Sequence, residues 1–269
     1  MNNLQTRALS AIVLAAAALW VTWLGGIPFR LLMILGAALV YYEWISMAGL
    51  RAERWVIGGI ALAVVAVMLV SGFPASALAV VLLAGIAVTL VAGWALGREM
   101  SAASALAYAG FAAVSLALLR SDDAAGLKAI LFPFAVVWAT DIAAYFTGKT
   151  FGGPKLAPSI SPGKTWSGAI GGTVAGVVAG AAAAAAADSD AMGIAIVTAL
   201  VLAVVAQAGD LFESAIKRHF GVKDSSRIIP GHGGLMDRVD GLVAAGFALY
   251  LIGAGFGGLD QPSHGFFRP

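Results

Sequence analysis

The chain has 269 residues, of which 61% are hydrophobic and only 11% charged, with a formal net charge of +2. Soluble domains carry about 25% charged residues, so this composition cannot cover a water-exposed surface, and the expected solvent is a lipid bilayer. The small basic excess gives no ground for nucleic-acid binding, and the absence of cysteine excludes disulfides, thiolate metal sites and cysteine nucleophiles.

A spanning helix needs about 20 mostly apolar residues. Nine stretches qualify, near residues 8–24, 29–47, 55–72, 76–95, 102–120, 128–147, 168–187, 191–213 and 239–258. The first follows a single Arg7. The next apolar run begins almost at once, so a first transmembrane helix is a simpler reading than a signal peptide. The expected fold is all-α, a polytopic membrane helix bundle of about nine transmembrane helices. It forms a single integral membrane domain over 1–269, with N-terminal helices in 1–120 and catalytic helices in 121–269. Two breaks are long and polar, over about 148–167 and 214–238.

Lys and Arg collect on the cytoplasmic side of membrane proteins. With the N-terminus placed in the cytosol, the inside set is Arg7, Arg51, Arg54, Arg98, Lys149, Lys155, Lys164, Lys217, Arg218, Lys223, Arg227 and Arg238. Only Arg30, Arg120, Lys128 and Arg268 fall outside. Both polar loops are then cytosolic. In the seventh stretch Gly168, Gly172, Gly176 and Gly180 recur every four residues, a face that lets helices approach closely in lipid. Packing within the chain is expected of it, in preference to a dimer seam.

Acids inside apolar stretches mark candidate chemistry, because a charged side chain at mid-membrane costs about 2.5–3.5 kcal/mol on insertion scales. Asp141 and Asp210 lie in such stretches, toward the cytosolic half, and Asp240 opens the last one. Glu43 stands beside Tyr41, Tyr42 and Trp44, which suggests interfacial anchoring instead. Glu213, Ser214, Lys217 and Arg218 follow Asp210 at helical spacing, forming a stripe that begins acidic and turns basic.

Beyond that stripe lie Lys223-Asp224, then Pro230-Gly231-His232-Gly233-Gly234, then Asp237-Arg238-Val239-Asp240. Glycines let backbone N–H groups approach a phosphate, and Lys and Arg supply charge to its oxygens. Asp237 and Asp240, three apart, share a face at a helix start, and carboxylates suit Mg²⁺. His232 could be a phosphate contact, a proton carrier or a turn residue. The earlier loop carries Ser161, Lys164 and Thr165. Its Gly163-Lys164-Thr165 is not a P-loop, because Pro158 stands where the first glycine belongs and no strand is expected before it. Lys164 remains a plausible phosphate contact before a helix N-terminus. Acids for a metal, several cations and a Gly-rich turn are the equipment of phosphoryl or nucleotidyl transfer. At a membrane surface they imply one lipid substrate and one soluble nucleotide.

The pattern Ser214-x-Ile216-Lys217-Arg218, then Lys223-Asp224-x-Ser226, then Ile229-Pro230-x-His232-Gly233-Gly234-Leu235-x-Asp237-Arg238-Val239-Asp240 resembles the signature of the phosphatidate cytidylyltransferases, the CDP-diacylglycerol synthases. Ser161-Pro162-x-Lys164-Thr165-x-x-Gly168 and Asp141-x-x-Ala144-Tyr145 also resemble family segments. The likeness covers about the last half of the chain. It departs at Gly163, where relatives often carry Lys. The resemblance implies that CTP and phosphatidic acid give CDP-diacylglycerol and pyrophosphate, with Mg²⁺, alone or paired with a monovalent cation, and that the enzyme is a homodimer. The expected location is a bacterial-type inner membrane, with the site facing the cytosol as the charge asymmetry puts both polar loops. Carried over by residue, the resemblance makes Asp210 and Asp237 the metal ligands, with Asp240 and Asp141 next. Lys164, Lys217, Arg218, Lys223 and Arg238 would hold phosphates, and His232-Gly233-Gly234 would form the turn against the nucleotide. Ser161, Thr165, Ser214 and Asp224 complete the expected substrate-binding set. The alternatives are a CTP-dependent lipid alcohol kinase and an ion-coupled transporter using Asp141 and Asp210.

Overall fold

The computed structural model describes residues 3–97, 100–187, 191–229 and 233–267, without the side chains of residues 3–12 and 14. His232, a predicted site residue, lies outside the described residues, as do its neighbours Pro230 and Gly231, the interhelical breaks at 98–99 and 188–190, and Arg268.

Nine α-helices follow in chain order among the described residues: α1 (Asn3–Leu24), α2 (Gly26–Met47), α3 (Ala52–Val70), α4 (Ala75–Ala95), α5 (Ser101–Leu119), α6 (Ala124–Phe151), α7 (Trp166–Ala186), α8 (Met192–His219) and α9 (Met236–Gly257). Eight of them, α2 to α9, are long and apolar enough to cross a membrane. Large apolar side chains such as Val67 on α3, Val91 on α4 and Val178 on α7 are more than 60% exposed. Three helices that turn valines outward are at home in hydrocarbon, where such a surface costs nothing. This is an integral membrane protein.

Each expected apolar stretch forms a helix within a few residues of its expected ends. The differences lie at the polar breaks. Helix α8 continues through His219, so Ser214 to Arg218 are helical and not part of a loop. The last turn of α8 is Lys217-Arg218-His219, and basic groups favour a helix C-terminus, where carbonyl dipoles converge. The 148–167 break also holds structure. Helix α6 runs on to Phe151, and a short antiparallel hairpin follows, β1 (Lys155–Ala157) and β2 (Ser161–Thr165).

Two compact units can be distinguished. Residues 1–118 and 224–238 make one, and residues 119–223 and 239–269 make the other. Residues 224–238 therefore group with the N-terminal helices, whereas the sequence alone placed them with the catalytic half.

In the second unit, α6, α7 and α8 pack around the glycine face. Gly168, Gly172, Gly176 and Gly180 are all buried. A Cβ on Gly172 would come within 2.7 Å of the Thr140 carbonyl of α6. One on Gly176 would run into Thr140 Oγ1 and approach Ala203 of α8 to 3.1 Å. The face is thus filled by the chain's own helices, as expected.

Local chemistry sets the helix starts. Asp123 caps α6 by accepting from the Gly126 N–H at 2.8 Å. Thr165 caps α7 by accepting from the Gly168 N–H at 3.1 Å. A cap of this kind is worth about 1 kcal/mol.

Candidate active site

One end of the second unit gathers most of the expected acids. Asp141 comes from the C-terminal half of α6, Lys164 from β2, Asp210 from the C-terminal half of α8 and Asp240 from the start of α9. Lys164 Nζ lies 2.5 Å from Asp210 Oδ2. Asp141 and Asp240 both lie within electrostatic range of Asp210 and of Lys164. The approach of α9 to α8 depends on Gly209, where a Cβ would come within 2.9 Å of the Asp240 carbonyl. Ser214 Oγ, one turn beyond Asp210, makes a long 3.4 Å contact to Asp210 Oδ1.

Of these, Asp141, Lys164 and Asp210 border a cavity of about 690 Å³. Asp141 and Asp210 supply its acidic side, and Lys149, Lys155 and Lys164 its basic side. Tyr145 and Ala169 give apolar wall, and Gln207 lies one turn deeper along α8. Gln207 is fixed by donating to Thr173 Oγ1 of α7 at 2.9 Å. The hairpin is what carries Lys155 and Lys164 to the cavity. It lacks alternating apolar residues and contains Pro162 and Gly163, so no strand signal marked it in the sequence.

Most of the remaining expected residues of this unit are engaged elsewhere. Thr165 borders the cavity, but its hydroxyl is engaged as the α7 cap. Ser161 is half-buried at the start of β2, opposite Ala157. Lys217 pairs with Glu213, one turn back, at 2.6 Å, and the Glu213 side chain is 1% exposed. Arg218 donates to the Ile160 and Val222 carbonyls at 3.4 and 3.3 Å, which ties the hairpin turn to the end of α8. Lys223 is exposed.

In the first unit, the described residues of 224–229 and 233–238 are held from inside by two carboxylates. Asp237 Oδ2 accepts from the Ser225 N–H at 3.0 Å, the Ser225 hydroxyl at 3.1 Å and the Gly234 N–H at 2.9 Å. The Ile229 N–H donates to the Gly233 carbonyl at 2.9 Å. Gly233 has φ 85°, and a Cβ there would come within 2.8 Å of Asp237 Oδ2. Gly234 is buried against Ser225 Oγ and Glu43. In this arrangement both glycines make room for the protein's own carboxylates. Asp224 and Arg238 are exposed.

Glu43 corrects the sequence reading. It is not an interfacial anchor but is fully buried, at 0% exposure. Its carboxylate accepts from the Ser226 hydroxyl (2.7 Å), the Ser225 hydroxyl (3.1 Å) and the Leu235 and Met236 N–H groups (2.8 Å each). The sequence offered one usable clue, an acid inside an apolar helix. Its partners are more than 180 residues away, beyond any local pattern.

As to a metal, the acids of the cavity are all carboxylates, a hard oxygen set that suits Mg²⁺. Among the described residues no group of three acids or histidines stands close enough to hold an ion alone. Mg²⁺ usually takes one or two carboxylates and completes its shell with waters and substrate phosphates, so Asp210 with Asp141 or Asp240 fits that habit.

Helices of this kind, with an acid-and-lysine cavity at one end, define a polytopic membrane protein equipped to handle phosphates near lipid. The chain belongs to the cytidylyltransferase family, whose pattern it matches over residues 5–256. It is 49% identical to the phosphatidate cytidylyltransferase of Brucella suis over 269 residues, 99% of each chain. It is 42% identical to the phosphatidate cytidylyltransferase of Pseudomonas aeruginosa, covering 94% of this chain and 99% of that one. With the Bacillus subtilis protein of the same name the identity is 32%, over 94% of this chain and 98% of that one.

Proposed function

We propose that this protein transfers the cytidylyl group of CTP to phosphatidic acid, releasing pyrophosphate and forming CDP-diacylglycerol. One observation carries the reading most directly: the cavity sets three lysines against two aspartates at the end of apolar helices. Cations there would hold phosphates, and the surrounding helices would admit a lipid from the side. The relatives' shared name supplies the reaction.

In the transfer, an oxygen of the lipid phosphate attacks the α-phosphorus of CTP. A new P–O bond forms, the bond to the bridging β-phosphate oxygen breaks, and pyrophosphate leaves. The chain needs no nucleophile of its own. Lys164, paired with Asp210, would hold a phosphate oxygen. Lys149 and Lys155 offset the charge of two polyanions brought together. Preorganised charge of this kind is often the largest catalytic contribution. Lys217 and Arg218 would have to exchange their present protein partners to join them, whereas Lys223 and Arg238 are exposed. Asp210, with Asp141 or Asp240, would hold Mg²⁺, which would neutralise charge on the reacting phosphates. Asp237, the other expected metal ligand, would need to give up part of its hold on Ser225 and Gly234 to serve.

The basic residues assigned to the inside face support a cytosolic site in a bacterial-type inner membrane. A homodimer and a monovalent cation paired with Mg²⁺ belong to the same proposal. To test it, purified protein in phosphatidate micelles is given CTP, and products are identified by mass spectrometry. Equal yields of CDP-diacylglycerol and pyrophosphate are expected, stopping on chelation and resuming with Mg²⁺. CDP with a newly phosphorylated lipid alcohol, and no liponucleotide, would point to the kinase instead.

A further inference from the structure

We infer that Glu43 is a positioning residue for nucleotide transfer, acting as an internal anion that fixes Ser225, Ser226 and the first turn of α9. This rests on the function proposed above.

Four donors converge on the Glu43 carboxylate, two on each oxygen. Ser226 Oγ and Leu235 N meet Oε1, and Ser225 Oγ and Met236 N meet Oε2. Leu235 and Met236 stand at the start of α9, where helical N–H groups lack a partner within the helix. Capping groups normally come from the residue just before a helix. Here the acceptor comes from α2, some 190 residues earlier in the chain.

The arrangement is built for an anion. The two backbone N–H groups cannot reverse polarity, so each carboxylate oxygen is held by a donor that must stay a donor. The site is also tight, since a Cβ on Gly234 would come within 2.7 Å of Glu43 Oε1. Asp237, in the first turn of α9, accepts from Ser225 and Gly234. Glu43 and Asp237 thus clamp Ser225 from two sides. Asp237 and Arg238, which follow in the first turn of α9, are the residues that the resemblance implies as a metal ligand and a phosphate contact. Glu43 itself touches no solvent, so its effect on the reaction must pass through the residues it holds.

The test is Glu43→Gln. The amide keeps one acceptor oxygen but turns an NH₂ toward a backbone N–H on the other side, while size and shape are unchanged. Kinetics are normalised to folded, monodisperse enzyme. The expected result is a KM for CTP raised by about tenfold and kcat reduced by about a hundredfold, the scale of a small misplacement in an active site, with the KM for phosphatidate unchanged. Amide hydrogen exchange at Leu235 and Met236 should quicken, while that of α7 stays as it was. A purely structural role would lower the yield of folded enzyme and leave both constants of the survivors intact. If Glu43→Gln does not fold, Ser226→Ala removes one donor of the four and should raise the KM for CTP several-fold. Wild-type constants for CTP in either folded variant would overturn the inference. An inactive wild-type protein would instead sink the proposed reaction, so the two failures are distinguishable.

Discussion

Lys164 Nζ lies 2.5 Å from Asp210 Oδ2, joining the hairpin strand β2 to the C-terminal half of α8 at the cavity wall. The two side chains remain 24% and 36% exposed. A pair in that setting contributes about 0–1 kcal/mol to stability, because water screens the attraction and holding two side chains still costs entropy. The pair is therefore poorly explained as a fastener and well explained as part of a site.

Lys164→Met should accordingly leave the thermal midpoint in detergent within a few degrees of wild type. Its kcat/KM for CTP should fall by about 10²–10³, the usual cost of losing one preorganised charge contact. A midpoint that collapses while the specific activity of folded enzyme persists would assign the lysine to folding.

Asp237→Ala removes the acceptor of the Ser225 and Gly234 N–H groups. Turnover of CTP should be abolished, while the protein still inserts into membranes and runs as a single species on size exclusion. Retained turnover would remove Asp237 from the metal set and show that its hold on Ser225 and Gly234 is dispensable for the reaction.

The helices were legible because in lipid each backbone group must be satisfied within its own segment, so an apolar stretch of spanning length has one outcome. The stripe from Asp210 through Glu213, Ser214 and Lys217 was legible for the same reason, since all four lie on one continuous helix. The β1–β2 hairpin was not legible. Its eight strand residues include Pro162 and Gly163 and show no alternation, and its anchors, the Arg218 bond to Ile160 and the Lys164 pair, come from a helix some 50 residues on. The partners of Glu43 were hidden in the same way. Local sequence shows an acid between aromatics, and only the folded chain brings Leu235 and Met236 to it.

Gly176→Ala should cost about 1–3 kcal/mol, the usual penalty for overpacking, because its Cβ would meet Thr140 Oγ1 and approach Ala203 and the Val136 carbonyl. Gly163→Ala, with nothing within 4 Å of the new methyl, should be near neutral. Paired denaturation curves check this. Equal midpoints for the two variants would mean that the glycine face of α7 is not the close α6–α8 contact described.

The Asp123 carboxyl adds an acid-sensitive latch before α6. Burial works to raise its pKa, but hydrogen bonds from Ser121, His264 and the Gly126 N–H, with the charge on His264, outweigh burial and hold it at about 2. The folded value lies below the ordinary 3.8. The stabilisation is therefore fully present above about pH 4 and is lost as the pH falls through about 2. His264 Nε2 sits 2.5 Å from Asp123 Oδ2, and Ser121 Oγ bonds Ser263 at 2.8 Å, so the latch ties the C-terminal 3₁₀ turn (Pro262–Gly265) to the start of α6. Asp123→Asn should flatten the fall of the thermal midpoint across that acid window. An unchanged slope would show that other carboxylates govern it.

The most direct test of the central claim uses CTP radiolabelled on the α-phosphate in one reaction and on the γ-phosphate in another, each with phosphatidate and the purified protein. The account predicts α-label in the lipid and γ-label in pyrophosphate, with both signals lost in Asp210→Asn. Label that stays in nucleotide, or γ-label that enters lipid, would contradict it.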